Sequence, residues 1–538
     1  MGPRLRGGDN RKSRRHGTCN PTATPAKPAP VIHDLLIIGG GINGAGIARD
    51  AAGRGLSVAL VEAGDLGGAT SSASTKLIHG GLRYLEFYAF GLVRKALAER
   101  EVLLDIAPHI TWPQSFVLPV TGDRPAWLLR AGLFLYDHLA RRRVVPGSAK
   151  LDLRQDRAGR ALQPRYGDAF RYWDGWVDDA RLVIANVRDA ADKGATVLTR
   201  TRVTRAHRDG DIWHVDLDTG ASLAARYLVN AAGPWAESVA RTVMGRNDAP
   251  ALRLVQGSHL VTKRVHSGDA FMLQQPDGRI VFVIPYEHNF SLIGTTERDV
   301  DSPDGAAITA EEADYLLGAV NRYLAHPIGA SDIVHRFAGV RPLILEAGKG
   351  DRETSRDYRL VEHAGANALT VVGGKITTYR VLAEAVMRIV APGTKPWTAT
   401  APLPGSDVPR DRGETGQAAF ARWLDALVAA HPDYDPKLIE RLARTLGTAA
   451  PPLLTAGLGA NLGGVFEAEL AHFRDREWAT TADDVLWRRT KLGLHLDGAA
   501  QARVAAWFDE VRAGVGDRPL PSSGQEAPRA AMRESKLA

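Results

Sequence analysis

A glycine-rich turn between two apolar segments constrains the fold of this 538-residue chain more than any other feature. Residues 35–38 are an uninterrupted apolar run, which is typical of a strand buried on both faces of a parallel sheet. Gly39, Gly41 and Gly44 follow in the spacing G-x-G-x-x-G, and residues 45–54 have the small and aliphatic side chains of a helix. The order of these segments predicts a strand, a tight turn and a helix of a βαβ unit.

Each part of this unit has a role in binding a dinucleotide. The first glycine makes the turn, the second lets the backbone approach a pyrophosphate, and the third lets helix and strand pack closely. The helix N-terminus then faces the phosphates. A second predicted strand, residues 56–61, ends at Glu62, which is placed to accept hydrogen bonds from a ribose hydroxyl. We therefore expect a dinucleotide-binding site here.

Two later segments repeat the pattern of an apolar strand that runs into glycine, at residues 227–235 and 369–378. Residues 70–75 are mostly small hydroxyl residues, which are able to lie against a ring system and its pyrophosphate. Segments so far apart in the chain predict one discontinuous domain around a large cofactor, FAD. The expected cofactor-binding residues are Gly39, Gly41, Gly44, Glu62, Thr70, Ser71, Ser72, Gly233, Gly373, Gly374 and Thr377.

The composition limits the redox chemistry that the protein performs. Its single cysteine, Cys19, lies within residues 1–30, which contain seven basic residues and one acidic residue. This segment has no apolar periodicity, so we expect a disordered basic arm there and a disordered tail over residues 514–538. The arm accounts for most of the net charge of +7. The rest of the chain has no thiol for a disulfide, an Fe–S cluster, a thiolate zinc site or catalysis, and we predict no metal site.

Further along the chain the residues resemble one family of flavoproteins. The resemblance spans about residues 31–511 and is most specific at residues 71–86, which read SSASTKLIHGGLRYLE. Other matching stretches are residues 37–55, 176–185, 230–235, 257–259, 280–285, 294–296, 339–343, 356–358, 373–380 and 478–491. The chain resembles the FAD-dependent, membrane-associated glycerol-3-phosphate dehydrogenases of the aerobic bacterial type.

The resemblance implies three domains. These are an α/β FAD-binding Rossmann-like domain of the glutathione-reductase/D-amino-acid-oxidase type, an α+β substrate domain and an all-α C-terminal domain. The segments expected for the FAD domain are residues 31–110, 170–245 and 357–395. Those expected for the other two domains are residues 111–169 with 246–356, and residues 397–513.

Local signals agree with this layout. Short β-like runs occur at residues 280–285 and 291–295. Thr309 and Glu312 form a capping box that predicts the start of a helix. Later, Asp435-Pro436 followed by Gly447 encloses an amphipathic segment, which predicts a capped helix in the C-terminal region.

The implied activity is the oxidation of sn-glycerol 3-phosphate to dihydroxyacetone phosphate, with hydride transfer to FAD and electrons passed on to a membrane quinone. A quinone acceptor implies a cytoplasmic protein that is attached peripherally to the inner face of the cell membrane, and the resemblance allows a homodimer. No run of about twenty apolar residues occurs, so we expect no membrane-spanning helix.

The resemblance also implies which residues bind the substrate. A phosphate needs fixed cations, and the planar fork of arginine suits this better than lysine. Arg83, Arg341 and Arg356 lie in matching motifs, and which of them holds the phosphate stays open. Tyr84, next to Arg83, is expected to donate a hydrogen bond to the substrate phosphate or hydroxyl.

Three residues are expected to act in the reaction itself. His259 is the favoured proton acceptor, because a histidine titrates near neutrality. Arg341 is expected to hold and polarise the alkoxide. Lys375 follows the third glycine turn and is expected to reach the substrate or the edge of the flavin.

A candidate membrane face lies in the C-terminal region, where basic residues alternate with tryptophans. Its members are Arg474, Arg476, Trp478, Trp487, Arg488, Arg489 and Lys491. The alternative interpretation is ordinary surface charge with core tryptophans.

Three other functions stay open at this point. The first is a glycerol-phosphate oxidase that passes electrons to oxygen. The second is an RNA-linked flavoprotein that uses the basic arm, although no nucleic-acid partner is expected. The third is an amine oxidase on the same flavin scaffold, which does not need several arginines for a phosphate.

Overall fold

The computed structural model describes residues 1–2, 31–122, 124–248, 250–266, 268–344 and 357–515. The predictions for the basic arm, for nearly all of the tail and for Arg356 therefore lie outside the described residues. The chain divides into two units, Met1–Val31 and Ile32–Ala538, and every helix and strand below belongs to the second unit.

The described strands and α-helices alternate through the first 390 residues, and helices alone follow. The strands are β1 (Ile32–Ile38), β2 (Val58–Val61), β3 (Leu77–Ile78), β4 (Thr111–Pro119), β5 (Ala149–Asp152), β6 (Asp168–Val177), β7 (Thr196–Leu198), β8 (Val203–Asp209), β9 (Ile212–Leu217), β10 (Ser222–Asn230), β11 (Leu252–Lys263), β12 (Ala270–Gln274), β13 (Ile280–Tyr286), β14 (Phe290–Gly294), β15 (Arg298–Val300), β16 (Ile333–Ile344), β17 (Arg359–His363) and β18 (Ala368–Val372). The α-helices are α1 (Ile42–Gly53), α2 (Phe90–Ile106), α3 (Ala126–His138), α4 (Asp179–Asp192), α5 (Ala236–Ser238), α6 (Ala310–Asn321), α7 (Tyr379–Val390), α8 (Gly416–Ala430), α9 (Pro436–Leu446), α10 (Ala450–Ala456), α11 (Glu467–Glu477) and α12 (Gly498–Val515).

The first sheet has a parallel centre in the order β18-β10-β1-β2-β7, with β17 antiparallel at one edge and β8–β9 joined to β10. The alternation of side chains along β1 explains why its residues 35–38 are all apolar. Leu35 and Ile37 face a core formed with α1, α4 and α7. Leu36 and Ile38 face the opposite core, which includes Trp213 of β9. The strand is therefore buried on both faces, which confirms the expectation from its sequence.

The second sheet is largely antiparallel, in the order β15-β11-β14-β13-β12-β4-β6-β3, with β16 paired to β11 and β5 to β6. The predicted β-runs near residues 280 and 291 are strands of this sheet, and α6 begins with the predicted capping box. One boundary differs from the expectation. Strand β3 and most of β6 fall within the segments expected for the FAD domain, yet both belong to the second sheet, where β6 pairs with β4 over Ala169–Val177.

Helices α8 to α12 surround an apolar cluster of their own. Helix α9 shows the predicted caps, since the Asp435 side chain accepts a hydrogen bond from the Lys437 amide and Gly447 ends the helix. The all-α region is thus built from amphipathic helices with local start and stop signals.

Buried ion pairs join this helical region to the first sheet and its helices. Arg181 of α4 donates two hydrogen bonds to Glu477 of α11, at 2.5 and 3.0 Å. Arg488 pairs with Asp65 at 2.5 Å, and Arg489 binds the same carboxylate. These contacts bury charged side chains of the C-terminal region against the rest of the protein. Those side chains are therefore not part of a solvent-exposed surface.

The predicted membrane face is therefore wrong for several of its members. Arg489 has no exposed side-chain surface, Arg488 is paired with carboxylates, and the ammonium group of Lys491 lies 3.0 Å from Asp178. Trp487 stacks on the His335 ring at 4.1 Å. The basic and aromatic pattern in this stretch serves the contact between regions. Over the described residues, no helix combines the length and the apolar character that crossing a membrane requires.

Replacing Glu477 with glutamine is expected to lower the free energy of unfolding at pH 7 by about 3 kcal/mol, because Arg181 then stays buried without its counter-charge. Burial alone raises the pKa of Glu477, but the charges and hydrogen bonds of Arg181 and His472 together outweigh burial and hold the pKa below its ordinary value. The stabilisation is thus present above the unfolded-state pKa of about 4.3 and decreases as the pH falls. Urea unfolding at pH 7 and pH 4 measures the difference in unfolding free energy between the wild-type protein and the variant. This difference should be smaller at pH 4.

The matched control is Asp509→Asn, which removes an exposed partner of Arg512. An exposed pair contributes little, so its unfolding midpoint should match that of the unmodified protein. Equal losses in the two variants would contradict a stabilising role for the buried pair.

Candidate active site

One large cavity, of about 1840 Å³, lies where the carboxyl ends of β1, β10 and β18 meet the second sheet. Of the residues predicted from the sequence, those that line it are Gly39, Gly41, Glu62, Thr70, Ser71, Arg83, Tyr84, Gly233, Arg341, Gly373, Gly374, Lys375 and Thr377. Gly44, Ser72 and His259 do not line it. The fold thus brings together segments that lie more than three hundred residues apart in the chain.

The first glycine turn has the geometry that its sequence predicts. Gly39 has a φ of +109°, and a Cβ on it would lie 2.6 Å from the Ala231 carbonyl oxygen. A Cβ on Gly44 would overlap the carbonyl oxygen of Gly39, so this residue packs the helix onto the strand and faces away from the cavity. Gly41 precedes α1, whose first turn has no acidic residue. The positive end of the helix dipole therefore faces the cavity, and the helix has no carboxylate of its own there.

Glu62 is held at the end of β2 by two backbone amides. Its carboxylate oxygens accept hydrogen bonds from Gly40 at 2.6 Å and from Gly64 at 2.7 Å. Burial raises the pKa of Glu62, and the two amides oppose this shift. The carboxylate is thus oriented at the cavity wall, as binding of a ribose hydroxyl requires.

The hydroxyl-rich loop fastens the two sheets to each other. The Ser71 hydroxyl accepts a hydrogen bond from the Ile42 amide at 3.0 Å, and the Thr70 hydroxyl donates to the Val340 carbonyl at 2.6 Å. Ser72 donates to the carbonyl of Ala69, three residues earlier. Ser72 does not line the cavity, and its contact with a cofactor stays a prediction.

Three predicted cations, Arg83, Arg341 and Lys375, line the cavity. The Lys375 ammonium group lies 4.0 Å from the centre of the Tyr84 ring, beside Arg83. Arg341 donates a hydrogen bond to the Thr295 hydroxyl at 3.2 Å. A Cβ on Gly257 would lie 2.5 Å from the Arg341 guanidinium, so glycine leaves the space through which Arg341 reaches the cavity.

His259 differs from its predicted position. Its side chain is completely buried and stacks on Phe337 at 4.9 Å. Burial lowers its pKa well below the ordinary value, and the charges of Arg341 and Lys76 lower it further. Its Nε2 lies 3.0 Å from the hydroxyl of Thr75, which does line the cavity. Direct proton abstraction by His259 is therefore not the arrangement seen here.

Two neighbours of this histidine were not singled out from the sequence. Thr75 stands between His259 and the cavity, and only its place in the hydroxyl-rich loop hinted at a role. Lys76 is buried with a φ of +59°, and its ammonium group lies 2.9 Å from Asp179 at the start of α4. Among the described residues no cluster of histidines, cysteines and carboxylates has the form of a metal site.

Comparison with known proteins agrees with this geometry. Residues 34–380 match the family model of the FAD dependent oxidoreductases. The chain is 47% identical to D-erythritol 1-phosphate dehydrogenase of Brucella abortus over 90% of its length and 99% of that protein. It is 46% identical to the aerobic glycerol-3-phosphate dehydrogenase of Escherichia coli, over 89% of this chain and 97% of that protein. The chain belongs to the FAD-dependent glycerol-3-phosphate dehydrogenase family.

A solved structure supports the fold and the cofactor of the family. The glycerol-3-phosphate dehydrogenase of Bacillus halodurans, complexed with FAD, superposes with a TM-score of 0.71 at 27% identity, over 90% of this chain and 91% of that one. The expected fold class is thereby confirmed, and the enzyme is an FAD-dependent oxidoreductase.

The residues of this chain fit FAD. Three glycine turns converge on one cavity, whose volume of about 1840 Å³ is ample for a dinucleotide, with a helix N-terminus and an oriented carboxylate on its wall. The side-chain oxygen of Asn43 is buried at this wall and has no partner, while its amide nitrogen donates to Gly373 at 3.1 Å. The bond from Asn43 to Gly373 ties the start of α1 to the third glycine turn, so two of the three turns are fixed against each other.

Replacing Gly41 with valine is expected to weaken FAD binding by about tenfold or more, because the side chain would enter the space between α1 and the pyrophosphate. The fold should persist, since the φ of Gly41 is −76° and a Cβ there meets only Ser71 Oγ, at 3.1 Å. The ratio of flavin absorbance to protein measures the outcome. Gly132→Val is the control, because a Cβ on Gly132 meets open space; loss of flavin from both variants would contradict this role of Gly41.

Proposed function

We propose that the protein oxidises the secondary alcohol of sn-glycerol 3-phosphate to dihydroxyacetone phosphate and passes the electrons to a membrane quinone. The observation that carries the proposal is that Arg83, Arg341 and Lys375 line the same cavity as the three glycine turns. A substrate phosphate of charge near −2 requires such fixed cations. An amine oxidase would not need them, which favours a phosphorylated alcohol.

The residues divide the work between the two ends of the substrate. We assign Arg83 and Lys375, the neighbours of Tyr84, to the phosphate. We assign Arg341, which donates a hydrogen bond to Thr295, to the oxygen of the alcohol. Bound FAD supplies the hydride acceptor. We assign the first sheet to an FAD domain and the second sheet, with β3 and β6, to the substrate domain.

A second substrate is favoured by one observation. The identity to the D-erythritol 1-phosphate dehydrogenase is 47%, against 46% to the aerobic glycerol-3-phosphate dehydrogenase. Both names describe a phosphorylated polyol, and the longer one has a four-carbon chain. The substrate class is thus a polyol phosphate, and the length of the carbon chain is a separate question for experiment.

Anaerobic bleaching of the flavin tests this proposal directly. Glycerol 3-phosphate, D-erythritol 1-phosphate or both should reduce the flavin, whereas glycerol and amino acids should not. Arg341→Ala should slow the reduction by about 10²-fold, because an oxygen that gains charge loses its cation. The control is Arg336→Ala on the same strand, whose side chain is exposed. Failure of every polyol phosphate to bleach the flavin would refute the function.

An exposed apolar surface supports attachment to a membrane at a place other than the predicted one. Trp127 and Phe134 of α3 are 71% and 61% exposed, and Tyr88 is 80% exposed. The ion pair between Arg124 and Glu86, at 2.7 Å, places the start of α3 beside residues 87–90. We call this set, Phe87, Tyr88, Phe90, Trp127, Leu128, Phe134 and Leu135, the α3 surface.

Charge and position both favour a lipid surface as its partner. Exposed Arg94, Arg130, Arg141 and Arg143 lie on or near α3, where they complement anionic headgroups. Phe87 and Tyr88 belong to the α3 surface and also to the wall of the cavity. A lipid-soluble quinone would therefore find the mouth of the active site at the membrane.

The double variant Trp127→Ser/Phe134→Ser should bind less to vesicles of phosphatidylcholine and phosphatidylglycerol, and quinone-dependent turnover on these vesicles should fall several-fold. Anaerobic reduction of its flavin by substrate should be unchanged. Co-sedimentation and stopped-flow absorbance measure the two effects. Val334→Ser, which removes another exposed apolar side chain, is the control. Unaltered vesicle binding of the double variant would show that the α3 surface is not the attachment site.

The choice of acceptor is tested separately. An oxidase would release one hydrogen peroxide for each substrate in air, whereas a quinone-linked dehydrogenase would release little and turn over rapidly with an added quinone. High peroxide yield together with normal vesicle binding would favour the oxidase.

A further inference from the structure

His259 has one described polar contact, and this contact lies on the side of the cavity. Its Nε2 is 3.0 Å from Thr75 Oγ1, while its Nδ1 is buried and has no partner. The ring is held on one face by Phe337, at 4.9 Å. A Cβ on Gly294, the residue opposite His259 in the neighbouring strand, would overlap the imidazole. The ring is therefore fixed in one orientation, with Nε2 aimed at Thr75.

The packing also indicates where the imidazole proton lies. A proton on Nδ1 would leave a buried donor without an acceptor, which is costly. A proton on Nε2 is donated to Thr75 Oγ1, and only a lone pair on Nδ1 stays unmatched. In this tautomer the hydroxyl of Thr75 accepts from His259, so its own hydrogen is free to point into the cavity.

The charges nearby oppose a second proton on this ring. Arg341 and the ammonium group of Lys76 both act on His259 through a buried region, and both lower its pKa. Lys76 is itself fixed, since it lies 2.9 Å from Asp179 and 5.2 Å from the centre of the Phe337 ring. The imidazole therefore stays neutral, and a hydrogen-bonding role suits it better than proton acceptance.

Thr75 belongs to the hydroxyl-rich loop, residues 70–75, which packs against strand β16. A Cβ on Gly339 of β16 would lie 2.7 Å from Ala73 Cβ, so the loop rests directly on this strand. Arg341 lies two residues further along β16, and both Thr75 and Arg341 line the cavity. Thr75 contacts His259, and Arg341 contacts Thr295, which follows the residue opposite His259 in the neighbouring strand. The Thr75 hydroxyl and the Arg341 guanidinium thus approach the same part of the cavity, one from the loop before β3 and the other from β16.

We propose that Thr75 is a catalytic residue whose hydroxyl, oriented by His259, donates a hydrogen bond to the substrate oxygen that Arg341 also holds. This inference rests on the proposed function, because it assumes an alcohol that becomes a carbonyl. The hydroxyl proton of the substrate leaves to solvent water in the cavity, and negative charge grows on the oxygen as this O–H bond breaks. A preorganised donor stabilises that charge, and the C–H hydrogen then leaves as hydride to bound FAD. Thr75 takes no proton in this scheme, and His259 is a positioning residue that acts through Thr75.

The test compares Thr75→Val, which keeps the shape and loses the hydroxyl, with Thr75→Ser, which keeps the hydroxyl. Stopped-flow reduction of the flavin by a polyol phosphate should slow by about 10²-fold in Thr75→Val and stay near the wild-type rate in Thr75→Ser. At equilibrium, Thr75→Val should bind dihydroxyacetone phosphate more weakly and inorganic phosphate unchanged, as read from the flavin spectrum. Both variants should retain their flavin.

A double-variant comparison with Thr75→Val distinguishes a positioning role of His259 from a merely structural one. His259→Phe should slow flavin reduction, His259→Gln should restore part of the rate through its amide N–H, and His259→Phe should add little in the Thr75→Val background. Three results would overturn the inference. The first is that the rate losses of His259→Phe and Thr75→Val multiply in the double variant. The others are a wild-type rate in Thr75→Val, or equal losses in Thr75→Val and Thr75→Ser. If no polyol phosphate reduces the flavin of the wild-type protein, both the proposed function and this inference are overturned.

Discussion

The close approach of residues 70–75 to both helix α1 and strand β16 is the contact on which the rest of the active site depends. A side chain on Gly339 would collide with Ala73, so this loop and strand β16 touch with nothing between them. At its other side the loop meets α1, where the Ser71 hydroxyl accepts from the Ile42 amide at 3.0 Å. One loop thereby sets the distance between the first glycine turn and strand β16, which carries Arg341. A shift of either element would change the shape of the cavity between them.

Desolvated charge organises the C-terminal helices in a similar way. The carboxylate of Asp65, close to the cofactor turn, is shared by Arg488 and Arg489 of the helical region. Arg181 and Glu477 make a second buried pair across the same contact. Such pairs specify one arrangement, because a shifted one would leave charges buried without partners. They also explain why a sequence pattern that is typical of a membrane surface is found inside the protein.

Local signals in the sequence predicted local structure well. The strand, turn and helix around Gly41, the capping box at Thr309 and the capped helix after Asp435 all occur as expected, because each is decided by residues within a few positions of one another. Burial of His259 was not predictable in this way. Its neighbours come from β14, β16 and the loop at residue 75, so its burial is a property of their assembly.

The sequence by itself determined the chemistry of the site: a dinucleotide cofactor, a redox centre without thiols, and cations for an anionic substrate, since residue types and short spacings specify these. Tertiary structure decided which residues meet. It placed Thr75 between His259 and the cavity, buried Arg489 against a carboxylate, and left the apolar face of α3 in solvent. The physical reason is that the exposure and the contacts of a side chain depend on packing between segments far apart in the chain. The same residue type therefore lines a binding site, makes a buried contact or faces solvent according to that packing.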